Sequence, residues 1–359
     1  FSPVNPLHEK RAAAIISQEA PDIRLSLSHE IGRLGLLERE NAAAYNACLL
    51  ETAERTINSI RTALLSLGLQ APLYLSQNDG TLMDVAYGER FPVLAISSGP
   101  TNSMRGAAFL SGIENGIVVD IGGTSTDVGA LVNGFPREAS IAVNLAGVRT
   151  NFRMPDVLSI ALGGGSVVKQ NPLTIGPSSV GFALAHDALV FGGKTLTSTD
   201  IAVAGGFAEI GDKSLVQSLE TSLVTDAVIE MRRRIETAID QMKLNASPGP
   251  VVLVGGGNIL VGDKLEGASQ VIRPKQADVA NAIGAAIAQV GGEVEKVYAL
   301  DGTNRLATLE EAKAEATTRA VAAGADPNTI KVVEIEEIPL TYLPSNAVRI
   351  RVKVVGDLV

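Results

Sequence analysis

The chain has 359 residues, 46% of them hydrophobic and 19% charged, with a formal net charge of -9. That balance excludes a disordered chain, and the acidic excess, with no long Lys/Arg run, excludes nucleic acid and an anionic membrane surface as natural partners. One cysteine, Cys48, excludes a disulfide framework or a multi-cysteine metal site within the chain and is expected to be a buried helix residue.

The length allows two or three domains. No apolar run reaches membrane-spanning length and no signal peptide is visible, so a cytoplasmic protein is expected. The chain starts Phe1-Ser2-Pro3, without an initiator Met or a recognisable first strand, as a fragment of a longer protein would.

In chain order, residues 1 to about 20 are polar and read as peripheral. Ile23 to Ser28 alternates like a strand. A long helical pattern runs from about Glu38 to Leu67 and ends at Gly68. Leu73 to Ser76 reads as a strand ending in the turn Gln77-Asn78-Asp79-Gly80. After the short apolar run Val93–Ile96, residues 101–112 look helical.

Gly116 to Ile121 is then a buried strand ending on an acid, and Asp127 to Val132 is a second strand. Asn133-Gly134 is a hairpin signal, with a third strand from Phe135. Residues 160–200 carry two Gly/Ser/Pro loops, Gly163 to Ser166 and Gly176 to Ser179. A helix is expected from about Leu215 to Leu244, a buried strand at Val251–Val254, and an Ala-rich helix from Ala277 to Val290. A strand, a charged helix over Thr308–Ala323 and two strands, Lys331–Ile335 and Ala347–Val355, then suggest a small α/β unit.

The chemistry concentrates at Asp120-Ile-Gly-Gly-Thr-Ser-Thr-Asp127. Glycines at a strand end can take positive φ and turn backbone N–H groups toward an anion. Gly122, Gly123, Thr124, Ser125 and Thr126 are therefore assigned to phosphate. Asp120 can hold water on a magnesium ion, and Asp127 returns on the partner strand to orient an attacking group. The plain alternative is an ordinary Gly hairpin; the run of motif residues between a buried strand and an Asn-Gly hairpin favours a phosphate turn of the actin/sugar-kinase (ribonuclease H-like) type.

Gly255-Gly256-Gly257-Asn258, at the end of a buried strand, stands where an adenosine loop would follow. Gly163-Gly164-Gly165-Ser166 is equally compatible with a ligand-lining loop and a surface loop. No Walker-type loop, nucleophile elbow or zinc-spaced histidine set is present.

Ser97-Ser98-Gly99-Pro100, Arg105 to Ala108, Val118 to Val128, Gly163 to Ser166 and Gly176 to Ser179 occur in the order found in the hydantoinase A/5-oxoprolinase family. The stretch from Leu27 through Asn46-Ala47 also resembles that family. The resemblance covers about residues 23 to 290 and implies actin-like ATPase lobes, with ATP and Mg2+ as cofactors. It implies ATP-dependent opening of a cyclic amide such as a hydantoin or 5-oxoproline; a related branch carboxylates acetone. It further implies a B-type partner subunit, with a homo-oligomer also compatible.

The family carries an N-terminal domain with its own Asp-x-Gly-Gly-Thr turn, which this sequence lacks. After Gly181 the family runs Pro-Gly-Pro, whereas this chain reads Phe182-Ala-Leu-Ala-His186. The expected organisation is the remainder of a first ATPase lobe (1–97), a second lobe with phosphate turn and adenosine loop (98–290) and a small C-terminal α/β unit (291–359). Alternatives are a small-molecule kinase of the same fold and a nucleotide-gated scaffold or activator.

Overall fold

The computed structural model describes residues 2–3, 5–33, 35–139, 142–299, 305–340 and 347–359. Its strands are β1 (Tyr74–Ser76), β2 (Thr81–Asp84), β3 (Gly116–Ile121), β4 (Thr126–Val132), β5 (Phe135–Pro136), β6 (Val143–Leu145), β7 (Val148–Thr150), β8 (Val157–Ile160), β9 (Ser166–Lys169), β10 (Thr174–Ser179), β11 (Gly249–Val254), β12 (Ala268–Ile272), β13 (Gln289–Ala299), β14 (Lys331–Pro339) and β15 (Ala347–Gly356). The helices are α1 (Leu7–Glu19), α2 (Ser28–Ile31), α3 (Leu37–Ser66), α4 (Val85–Arg90), α5 (Ser98–Ser111), α6 (Leu184–Asp187), α7 (Ser198–Ala204), α8 (Thr221–Met242), α9 (Ala280–Ala286) and α10 (Arg305–Ala322). The chain divides into two compact units, one of residues 1–98, 138–154 and 288–359, the other of residues 99–137 and 155–287.

The second unit is built on a six-stranded sheet in the order β12-β11-β3-β4-β5, with β8 also on β4. β3 pairs in parallel with β11 and antiparallel with β4. The strand period of two sends alternate side chains to opposite faces. Ile117, Val119 and Ile121 pack against Met231, Ile235 and Ile239 of α8. Those α8 residues recur every fourth position, which is why the segment is one long amphipathic helix. Val118 faces the other way, into a layer with Met104 and Ala107 of α5 and Ala280 of α9. The same alternation carries Asp120 to the α5/α9 face.

In the first unit the sheet order is β1-β2-β13-β15-β14. β13 pairs in parallel with β2, matching Val290 to Leu82. The strands expected to form a separate C-terminal unit therefore share a sheet with residues 74–84. Val290, Val294, Ile350, Val352 and Val354 pack on the alanines of α10. The alternate positions Glu293, Arg351 and Lys353 join Asp79, Glu138 and Arg153 in a buried ionic cluster. Lys353 Nζ lies 2.8 Å and Arg153 3.2 Å from Asp79 Oδ2. Arg351 lies 2.7 Å from Glu138 and 2.8 Å from Glu293, and Arg153 also pairs with Glu293. The three carboxylates come within 4.8 Å of one another, a spacing that would suit a metal ion. The three cations already occupy them.

Several local expectations are corrected. Ile23 to Ser28 is not a strand: Glu9 accepts the Ser28 N–H at 3.1 Å and the Ser28 hydroxyl, and α2 begins there. Cys48 is exposed, because α3 buries the stripe Arg39, Ala42, Asn46 and Leu50, and Cys48 points away from it. Gly176 to Ser179 lies within β10 and not in a loop, with an irregular register against β9. The helix expected from Ala277 to Val290 is a 3-10 turn followed by α9, and β13 starts at Gln289.

Candidate functional site

The turn between β3 and β4 places Asp120 directly opposite Asp127, and Ile121 opposite Thr126. Directly opposed residues put their side chains on one face of the sheet, so both carboxylates stand together at the strand ends. The turn closes by a hydrogen bond from Gly122 N to Ser125 O at 2.9 Å. Gly123 and Thr124 form its exposed tip. Neither Gly122 nor Gly123 adopts left-handed backbone, contrary to the expectation that these glycines supply positive φ. Gly123 stands in the open, where a Cβ would meet nothing within 4 Å. Among the described residues, no acceptor takes the N–H of Gly123, Thr124 or Ser125. Consecutive free N–H groups at a turn suit an anion.

Two other glycine runs brace this turn. Gly164 N donates to Gly122 O at 3.0 Å and Gly165 N to Gly123 O at 2.7 Å. A Cβ on Gly163 would fall 2.6 Å from Thr124 N, so only glycine allows this approach. From the other side, Gly257 N donates to Ile121 O at 2.7 Å and Gly255 N to Ala277 O at 2.9 Å. Asn258 Nδ2 donates to Gly255 O at 2.7 Å, closing the loop on itself. Gly256 is exposed, with room around it.

The structure thus brings the three runs together, yet it separates their roles. Thr126 is fully buried and its hydroxyl donates to Leu162 O at 2.6 Å. Ser166 is fully buried and its Oγ accepts the Gly163 N–H at 2.9 Å. Gly163, Gly164 and Gly165 are buried beneath the turn. These five residues, assigned from sequence to ligand contact, are instead turned into the protein, where they support the loop. Gly123, Thr124 and Gly256 are the exposed ones.

Burial pushes the Asp120 carboxyl above its usual range; a hydrogen bond from Ser103 opposes this and the facing Asp127 charge adds to it. Burial likewise raises Asp127, partly offset by its hydrogen bond with Ser159. Ser103, Ser159 and Asn281, which bonds Ser103, were not singled out by sequence. The available signal was the polar run Thr101-Asn102-Ser103 inside an otherwise small-residue helix.

The donor set can be tested against the expected groups. Two adjacent carboxylates repel a phosphate, and no Lys or Arg belongs to the turn or its two bracing loops. A divalent cation between carboxylates and phosphate resolves that conflict, and magnesium accepts one or two carboxylates with the rest of its shell as water. The residues present therefore fit a magnesium–nucleotide, with Asp120 on the cation side, Asp127 facing it and the Gly123–Ser125 N–H groups free for phosphate oxygens.

Residues 39–209 match the family model described as hydantoinase/oxoprolinase. Over this segment the chain is similar to the hydantoinase/oxoprolinase family. It is 32% identical over 215 residues to the caprolactamase subunit alpha of Pseudomonas jessenii, a match covering 58% of this chain and 31% of that protein. It is 27% identical over 221 residues to the acetophenone carboxylase gamma subunit of Aromatoleum aromaticum, covering 58% of this chain and 30% of that protein. The matched stretch spans about a third of the length of these relatives. The crystal structure of the ATP-dependent caprolactamase from Pseudomonas jessenii superposes with a TM-score of 0.75 at 18% identity, covering 99% of this chain and 63% of that one. The fold is mixed α/β and is shared with that caprolactamase structure. No helix among the described residues is long and apolar enough to cross a membrane.

Proposed function

We propose that this chain supplies a nucleotide-handling part of an enzyme that opens a cyclic amide at the expense of ATP. The observation that carries the reading is the pairing of Asp120 with Asp127 beside three free N–H groups of the Gly123–Ser125 tip. An amide carbonyl is a poor electrophile, and a small lactam recloses readily. Transfer of the ATP γ-phosphoryl to the lactam oxygen forms one P–O bond, breaks another and releases ADP. Water then adds to the activated carbon as the ring C–N bond breaks, and a second water releases the phosphate. Such chemistry asks for positioning and charge stabilisation and not for a nucleophilic side chain.

In this reading Asp120 holds magnesium and its water, and Asp127 orients the attacking oxygen. Gly123, Thr124 and Ser125 receive phosphate while the Gly122 N–H closes the turn on Ser125 O, and Gly255 to Asn258 border the adenosine. The similarity to subunits of a caprolactamase and an acetophenone carboxylase supports both an ATP-activated carbonyl substrate and work alongside a partner subunit of the B type.

The test uses the full-length native protein with its co-encoded partner. ADP, inorganic phosphate and organic products are followed with ε-caprolactam, hydantoin, 5-oxoproline and a ketone plus bicarbonate. Lactam-dependent ADP release with a ring-opened amino acid is the expected result. A stable phosphorylated product would identify a kinase, and ATP turnover indifferent to every lactam would overturn the proposal.

A further inference from the structure

The α5/α9 contact beneath the phosphate turn is unusually close. A Cβ on Gly106 would fall 1.9 Å from Ala280 O, and one on Gly284 would fall 1.8 Å from Asn102 O. The two helices touch backbone to backbone at both points, which no side chain larger than hydrogen permits. Between these points sit Ser103 on α5 and Asn281 on α9. Asn281 spends both amide protons on α5: Nδ2 lies 2.8 Å from Gly99 O and 3.2 Å from Ser103 Oγ. Ser103 is 1% exposed, and its hydroxyl is hydrogen-bonded to Asp120.

A serine hydroxyl has a single proton. With Asn281 donating to its oxygen, that proton is directed to the carboxylate. The chain Asn281 to Ser103 to Asp120 therefore runs in one direction and offers Asp120 a donor on one side. Its remaining lone pairs are left for a ligand. Asp127 has a simpler arrangement, one hydroxyl from Ser159.

We propose that Ser103 and Asn281 are positioning residues that fix the Asp120 carboxylate as a divalent-cation ligand, with the Gly106 and Gly284 backbone contacts setting the distance between them. The proposal rests on the reading of Asp120 as the metal-side acid and extends it to two residues outside the glycine runs. Partners that orient a metal ligand contribute about 10–100-fold in metal affinity.

The experiment measures Mn2+ binding in the presence of ADP by electron paramagnetic resonance on the full-length protein, without turnover. Ser103→Ala and Asn281→Ala are each expected to weaken Mn2+ binding about 10–100-fold. Ser103→Thr, which keeps the hydroxyl, is expected to retain wild-type binding. Because the two residues act in series, the double alanine variant is expected to be no weaker than Ser103→Ala alone. Thermal melts of each variant confirm that the fold is retained. Unchanged Mn2+ affinity in both alanine variants overturns the proposal while leaving the phosphate turn standing. Equal loss in Ser103→Thr and Ser103→Ala also overturns it, since volume and not the hydroxyl would then matter. Absence of Mn2+–ADP binding in the wild type overturns the phosphate-turn reading and this inference together.

Discussion

Gly255 stands against Asp120 so closely that a methyl group on it would lie 2.3 Å from the Asp120 Oδ1 atom. Its φ of 82° is a conformation that L residues rarely take. A Cβ on Gly256, next in the chain, would meet nothing within 4 Å. Gly255→Ala is therefore expected to cost about 1–2 kcal/mol from backbone alone and to displace Asp120, lowering ATP turnover about 100-fold. Gly256→Ala should leave the melting temperature unchanged and weaken only nucleotide binding. Thermal denaturation and nucleotide titration of the pair check this; equal stability of both variants would refute the steric argument.

Thr126 and Thr124 make a second contrast. The buried Thr126 hydroxyl supports Leu162 O, whereas Thr124 lies at the exposed tip. Thr126→Val is expected to lower stability by about 1–3 kcal/mol through the stranded carbonyl. Thr124→Val should leave stability unchanged and raise the dissociation constant for ATP. Denaturant unfolding and calorimetric titration separate the two effects.

Asp120 and Asp127 are both half-buried acids held above their ordinary pKa by desolvation, which means that their charged forms cost stability in the folded protein. Asp120→Asn is expected to stabilise the ligand-free fold at neutral pH by about 1 kcal/mol while abolishing magnesium-dependent ATP turnover. A variant that loses stability, or one that keeps wild-type turnover, would count against the role given to this acid.

The ionic cluster in the first unit behaves in the opposite sense. Burial works to raise the Glu293 pKa, but the Arg153 and Arg351 charges outweigh it and hold the group at about 2, against an ordinary value of 4.5. A carboxyl depressed in this way contributes stability above pH 4.5 that is lost as pH falls toward about 2. Unfolding midpoints should fall across that window, and Glu293→Gln should flatten the decline. Arg153→Met leaves Arg351 and Lys353 alone against three carboxylates, and that uncompensated charge is expected to cost about 3–5 kcal/mol at neutral pH.

The β3–turn–β4 hairpin was legible because its signals are local: a buried apolar run, a glycine turn and Asn133-Gly134 within a few residues. Helix α8 was legible from its four-residue spacing. The direction of the Thr126 and Ser166 hydroxyls was not, because it depends on how the Gly163 loop docks beneath the turn. Ser103 and Asn281 meet across 178 positions, a separation at which no local pattern reports contact. Arg351, Lys353 and Glu293 read as the solvent face of alternating strands. In the fold that face carries the Glu138 and Arg153 partners, so alternation alone predicts the wrong burial.

The excursion of residues 138–154 out of one unit and into the other has a practical side. Where the chain leaves and re-enters the second unit, Asp156 N donates to Arg137 O at 2.8 Å and the side chains form an ion pair at 2.6 Å. The two cut ends are thus already neighbours, since β5 and β8 follow one another along the same edge of β4. A short linker grafted in place of residues 138–154 would join 99–137 to 155–287 as one continuous polypeptide. The whole phosphate turn with both of its supporting glycine loops would then be carried on an excised module, small enough for residue-by-residue spectroscopy.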